Sequence, residues 1–175
     1  MAWPHPYDTT SRPRLPPMNA SIISRPSDDQ FARVDHVKQA AGQPVLPGDD
    51  RNWILGEALV VDVGDGEIIT IPMGFTTDGA SIPAAVQRLT RWRPFDGPQR
   101  WAGIIHDWLY YQDGYDRKRA DQIFRDILQA EGAGKFRTAA MYWAVRLFGK
   151  AAYHSNQERD VEDRIWGNPA YPHHA

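Results

Sequence analysis

Residues 98–131 read PQRWAGIIHDWLYYQDGYDRKRADQIFRDILQAE, and the periodicity of this stretch decides the fold. It predicts a helix from Pro98 to about Gln112, with proline in the first turn, where a missing N–H costs nothing. A second helix is predicted from Arg117 to Glu131, capped by Asp116 and closed by Gly132 and Gly134. Helices joined by so short a turn pack as antiparallel neighbours. On the first, Trp101, Ile104, Ile105 and Trp108 form an apolar stripe, while Gly103, His106, Asp107 and Tyr110 gather on the other side. A surface helix would show Lys, Glu or Gln there; this set suits a second buried face made of polar groups. On the second helix Ala120, Ile123, Phe124, Ile127 and Leu128 form the core stripe, with Asp121 at its margin. Lys118, Arg119, Gln122 and Asp126 point outward.

Upstream lies β structure. Trp53 to Val63 (WILGEALVVDV) reads as one strand, Gly64-Asp65-Gly66 as a turn and Glu67 to Ile71 as the returning strand of a hairpin. A shorter strand is expected near Phe31 to Val37. Gly74 to Pro83 (GFTTDGASIP) is too rich in Gly, Thr and Ser for helix or strand and reads as a structured loop. Downstream, Lys135 to about Tyr153 is predicted as a third helix, whose apolar residues cover more than half its circumference. That pattern predicts a central helix packed on several sides. Eight of the 14 prolines fall within the first 47 residues. Residues 1–27 therefore read as an extended proline-rich arm, 28–155 as a single domain, and 156–175 as a short charged helix with a loose tail. The fold class is α+β: a small antiparallel hairpin or sheet followed by a three-helix unit.

Composition bounds the function. The 175 residues are 42% hydrophobic, with seven Trp, seven Tyr and six Phe, which excludes a wholly disordered chain. The net charge of −2 disfavours a phosphate-backbone binder. Without cysteine there is no disulfide framework, thiolate metal cluster or thiol nucleophile. No apolar run reaches the roughly 18 residues of a membrane span, and the N-terminus lacks the pattern of a signal peptide, so synthesis in the cytoplasm is expected.

The chemistry concentrates on the helical hairpin. An antiparallel arrangement brings Asp121 towards His106 or Tyr110, and a carboxylate on one imidazole nitrogen leaves the other as a base. Asp107, one residue on, points elsewhere and is available to a cation. The alternative is structural: a hydrogen-bonded His–Asp pair locking two helices, an ion pair of Asp121 with Arg117 or Arg125, and a Tyr110 that only packs. In the loop, carbonyls with Thr76, Asp78 and Ser81 are hard oxygen donors, although Asp78 and Ser81 also suit capping of the segment after Pro83. Ser81 lacks the surroundings of a nucleophilic serine. Arg88, Arg91, Arg93 and Arg100 with Trp92 and Trp101 form a basic-aromatic patch that could touch phosphates or lipid headgroups.

Four blocks carry a resemblance: GFTTDGASIP (74–83), HDWLYY (106–111), RADQIFRDIL (119–128) and AVRLFG (144–149). In that order they resemble a family of small proteins of unknown function encoded by tailed phages and prophages. The resemblance implies a phage accessory protein, made in the host cytoplasm and associated with the virion or tail. In that setting the N-terminal arm would dock onto neighbouring phage structural proteins. His106-Asp107-x-x-Tyr110 followed by Asp121 is also similar to the helix pair of the phospholipase A2 superfamily. That second resemblance implies His106 as the base, Asp107 as a calcium ligand, and Asp121 with Tyr110 as the network orienting His106. Asp78 would be a further calcium ligand and lipid esters the substrates. The departures are the lack of cysteines, which tie the two helices in that superfamily, and of its usual glycine-rich calcium loop. The competing expectation is a non-catalytic connector of the virion or tail.

Overall fold

A computed structural model of the chain describes residues 20–44, 51–78, 97–112 and 114–157. Six strands form two three-stranded antiparallel sheets among these residues. The first has the order β1 (Ser21–Ser24), β4 (Leu59–Asp62), β5 (Ile68–Ile71). The second has the order β2 (Phe31–Arg33), β3 (Trp53–Leu55), β6 (Thr76–Thr77). Five helices accompany them: α1 (Val34–Ala40), α2 (Gln99–Tyr111), α3 (Arg117–Ala130), α4 (Lys135–Phe148) and α5 (Lys150–Gln157). The α+β class and the antiparallel sheet are as the sequence implies.

The hairpin pairs Leu59 with Ile71 and Val61 with Ile69. Leu59 and Val61 are fully buried and Val60 and Asp62 are not, as the period of two requires. Its turn runs through Gly64, Asp65 and Gly66, all at positive φ. The Asp62 carboxylate steadies this left-handed path by accepting from the Gly64 N–H.

Three expectations are corrected. Trp53 to Val63 is two strands in two sheets, because the chain turns a corner at Gly56. There the Gly56 N–H donates to Gln30 O at 2.6 Å, and a Cβ would lie 2.9 Å from that carbonyl oxygen. The strand expected over Phe31 to Val37 stops at Arg33 and continues as α1. The third helix ends at Phe148, and α5 begins after Gly149. Nor is it central: Phe136, Trp143, Leu147 and Phe148 are exposed, and only Thr138, Met141 and Ala144 of α4 are buried.

The central element is α2, buried from Trp101 to Tyr111 at every residue except Trp108. Its apolar side meets Leu55, Leu59, Val61, Ile71 and Phe75 from the sheets, and α3 adds Ile123, Phe124, Ile127 and Leu128 to the same core. Phe75 stands edge-on to Trp108, with ring centroids 5.2 Å apart. Asp116 caps α3 as the sequence predicts, accepting from the Arg119 N–H. The end of the expected arm is part of the fold, since Ser21–Ser24 pairs with β4 and Ala20 is buried. Arg25 forms a double hydrogen bond to Glu131 and lies over the Trp101 ring, tying this strand to the helices. Residues 1–19, where the rest of the arm falls, and the tail from 158 lie outside the described residues.

The corner yields a test. Gly56→Ala forces β2 and β3 apart against an immovable carbonyl, and urea denaturation should show a loss of about 1–3 kcal/mol.

Candidate functional site

The site is built on the polar side of α2. His106 and Tyr110 are one turn apart and therefore share a face. Both reach across to α3. His106 Nε2 lies 2.7 Å from Asp121 Oδ1, and the Tyr110 hydroxyl donates to the same oxygen at 2.7 Å. Arg146 of α4 donates from Nη1 to Asp121 Oδ2 at 2.6 Å, and Arg117 Nε stands 3.7 Å from that oxygen. Asp121 has no exposed surface. The sequence reading brings Asp121 to His106 or Tyr110, and the structure has it meet both. Of the two arginines expected beside it, Arg117 lies near and Arg125 bonds Asp126 instead.

Burial pushes the Asp121 carboxyl up, but the bonds from His106, Arg146 and Tyr110 outweigh it and hold the group below the ordinary aspartate value. Tyr110 moves the other way: burial, then the adjacent Asp121 charge, raise its hydroxyl well above the usual tyrosine range. The pair is therefore a carboxylate and a phenol, with the phenol donating. Since a carboxylate only accepts, His106 Nε2 carries the proton of its bond and Nδ1 is left as the basic nitrogen.

Asp107, about 100° round the helix from His106, turns away from Asp121 towards β6. Thr77 Oγ1 of β6 donates to its Oδ2 at 2.5 Å. A cavity of about 310 Å³ opens beside these groups, walled by His106, Asp107 and Tyr110 with Asp78, Phe148 and Asn156. Asp78, exposed at the end of β6, thus joins Asp107 at one cavity, while Ser81 lies outside the described residues. These carboxylates suit calcium in kind. Calcium takes six to eight oxygens, carbonyls and waters among them; no three His, Asp or Glu side chains converge among the described residues. Of the basic-aromatic patch, Arg100 bonds Asp28 and Trp101 is buried, and the other members lie outside the described residues.

Sequence reasoning did not assign Arg146, Thr77 or Gly149. Arg146 stands in an apolar run with no acidic residue on its own helix, which was a legible sign that its partner lies on another. Gly149 permits close approach: a Cβ there would sit 2.8 Å from the Tyr110 hydroxyl and 2.5 Å from Val145 O.

The family model described as "Protein of unknown function (DUF1353)" matches residues 53–145, just over half of the chain, and the protein belongs to that family. The matched span holds His106, Asp107, Tyr110 and Asp121 and ends one residue before Arg146. Among curated proteins the chain is similar to two from Sinorhizobium fredii, both described as uncharacterized. It is 32% identical to y4jT over 79 residues, which is 45% of this chain and 23% of that protein. It is 30% identical to y4iH over 119 residues, or 57% of this chain and 48% of that one. The chain thus spans a quarter to a half of the length of these relatives. No solved structure matches.

Two predictions follow from the network. Its bonds keep folded Asp121 ionised at a pH where the unfolded chain has begun to bind the proton. The stabilisation is thus full above the ordinary aspartate value of 3.8 and is lost as pH falls through the lower folded value. Asp121→Ala should cost about 3 kcal/mol at neutral pH, and thermal melts should show that gap narrowing as pH falls below 3.8. Gly149→Ala should destabilise the protein less in a Tyr110→Phe background, where the methyl no longer meets a hydroxyl. A double-mutant cycle should return a coupling of about 0.5–3 kcal/mol.

Proposed function

We propose that this protein hydrolyses lipid esters, with His106 as the general base. The observation that carries the reading is the 2.7 Å bond from His106 Nε2 to the unexposed Asp121 carboxylate, on the wall of a cavity large enough for part of a substrate. In the proposed step, His106 Nδ1 takes a proton from water as the water oxygen attacks the ester carbonyl carbon. The tetrahedral intermediate then expels the alkoxide, which leaves as the alcohol with the proton returned from the imidazolium. Asp121 fixes the ring and offsets the imidazolium charge, and Tyr110 and Arg146 fix Asp121. No step is assigned to a metal ion. The choice of lipid esters rests on the His-Asp-x-x-Tyr likeness to phospholipases A2, now joined by the bond to Asp121.

The four sequence blocks support a further proposal, that the protein is a phage or prophage accessory component carried with the virion or tail. The arm of residues 1–27 would then be the segment docking onto neighbouring subunits.

One observation favours a non-catalytic reading. Asp121 also accepts from Tyr110 and Arg146, so the same carboxylate stitches α2, α3 and α4 together. The two readings separate at His106. For a hydrolase, His106→Asn should lower turnover of phospholipid and short-chain esters by about 100-fold or more with the fold intact. Assaying turnover in chelator and in added calcium tests the calcium role that the same likeness implies for Asp107 and Asp78. If the cluster only braces helices, wild type cleaves neither ester, and the substitution lowers stability by about 1–3 kcal/mol.

A further inference from the structure

On α4, Phe136, Ala140, Trp143 and Leu147 recur at the spacing of one helix face. That face looks to solvent: Phe136 is 83% exposed, Trp143 60% and Leu147 68%. Large apolar side chains aligned in the open mark a contact surface. The charges around the stripe identify its partner. Lys135 and Lys150 are exposed at its two ends, and no Asp or Glu occurs anywhere from Lys135 to Gln157, although the whole chain is net acidic. Among the described residues, Asp121 is bonded to Arg146 of α4, and Asp126 and Glu131 are taken by Arg125 and Arg25; the next acidic residue along the chain is Glu158.

We infer that α4 seats this protein on an anionic lipid surface, the stripe entering the headgroup boundary and the lysines meeting lipid phosphates. An apolar face with an aromatic ring at its centre, basic ends and no acidic residue is the pattern of a helix lying in the plane of an interface. A second copy of the chain fits less well, because pairing two such faces brings lysines together without a carboxylate between them. Crossing is a different matter: no described helix is long and apolar enough to span a membrane. Phe148, 63% exposed at the end of the same helix, also lines the cavity, so a seated molecule holds the cavity mouth close to the lipid. The inference does not depend on His106 acting as a base.

The test is sedimentation of the full chain with vesicles of phosphatidylcholine, with and without phosphatidylglycerol. Binding is expected on the anionic vesicles and should weaken in salt. Trp143→Ser with Leu147→Ser, both exposed and outside the core, should weaken it by on the order of tenfold or more. Lys135→Glu and Lys150→Glu should each cost about fivefold on anionic vesicles only. The inference is overturned if wild type ignores both vesicles, if the serine variant binds as wild type does, or if wild type is a dimer that the serine variant dissociates. Vesicle binding without ester cleavage would leave the docking face standing and remove the hydrolase. Cleavage of a soluble ester without vesicle binding would do the reverse.

Discussion

A carboxylate with no access to water is costly to keep charged, by several kcal/mol for an isolated group. Asp121 is such a group, and the helical half of the protein is arranged around satisfying it. One oxygen accepts from His106 and Tyr110 of α2, and the other accepts from Arg146 of α4 with Arg117 close by. Each contact favours the charged form, and together they reverse the effect of burial. Because the donors come from different helices, the charge can be satisfied only when all three are in place. The same requirement fixes the side chains that face the cavity. His106 is held by its bond and by the Tyr110 and Phe124 rings, whose centroids lie 4.0 and 5.0 Å from its own.

The sheets supply the other wall. The corner at Gly56 divides a β segment between two small sheets, the turn at Gly64 to Gly66 closes the hairpin of one of them, and β6 of the other lies beside α2. Thr77 can then donate to Asp107, and Asp78 reaches the cavity. The two apolar systems of the helical half are distinct. One runs through α2 and α3 into the sheets and is fully enclosed; the other lies along α4 and faces out. A chain that leaves Trp143 and Leu147 in water while its central helix is buried on nearly every side has separated folding from contact.

Much of this was legible in the sequence. The two-residue alternation of Leu59 to Asp62, the glycines of the turn and the Asp116 cap each depend on near neighbours, and local spacing reports near neighbours faithfully. The polar face of α2 was legible for the same reason, since Gly103, His106, Asp107 and Tyr110 share a side of any helix drawn through them. Misreadings occurred where a distant partner decides. WILGEALVVDV has the composition of one strand, and only the carbonyl of Gln30 against Gly56 shows why it bends. The apolar residues of α4 read as core because hydrophobicity reports a preference for burial without saying what covers the residue.

The sequence by itself determined the α+β class, the helical hairpin, and that Asp121 faces the helix side carrying His106 and Tyr110. Helix periodicity and a short connection leave few other arrangements. Tertiary structure alone decided that Asp121 is fully enclosed, that Arg146 arrives from a third helix to hold it, and that Asp78 and Asp107 share one cavity with His106. Those facts depend on the packing of segments distant along the chain, and no local pattern encodes such distances.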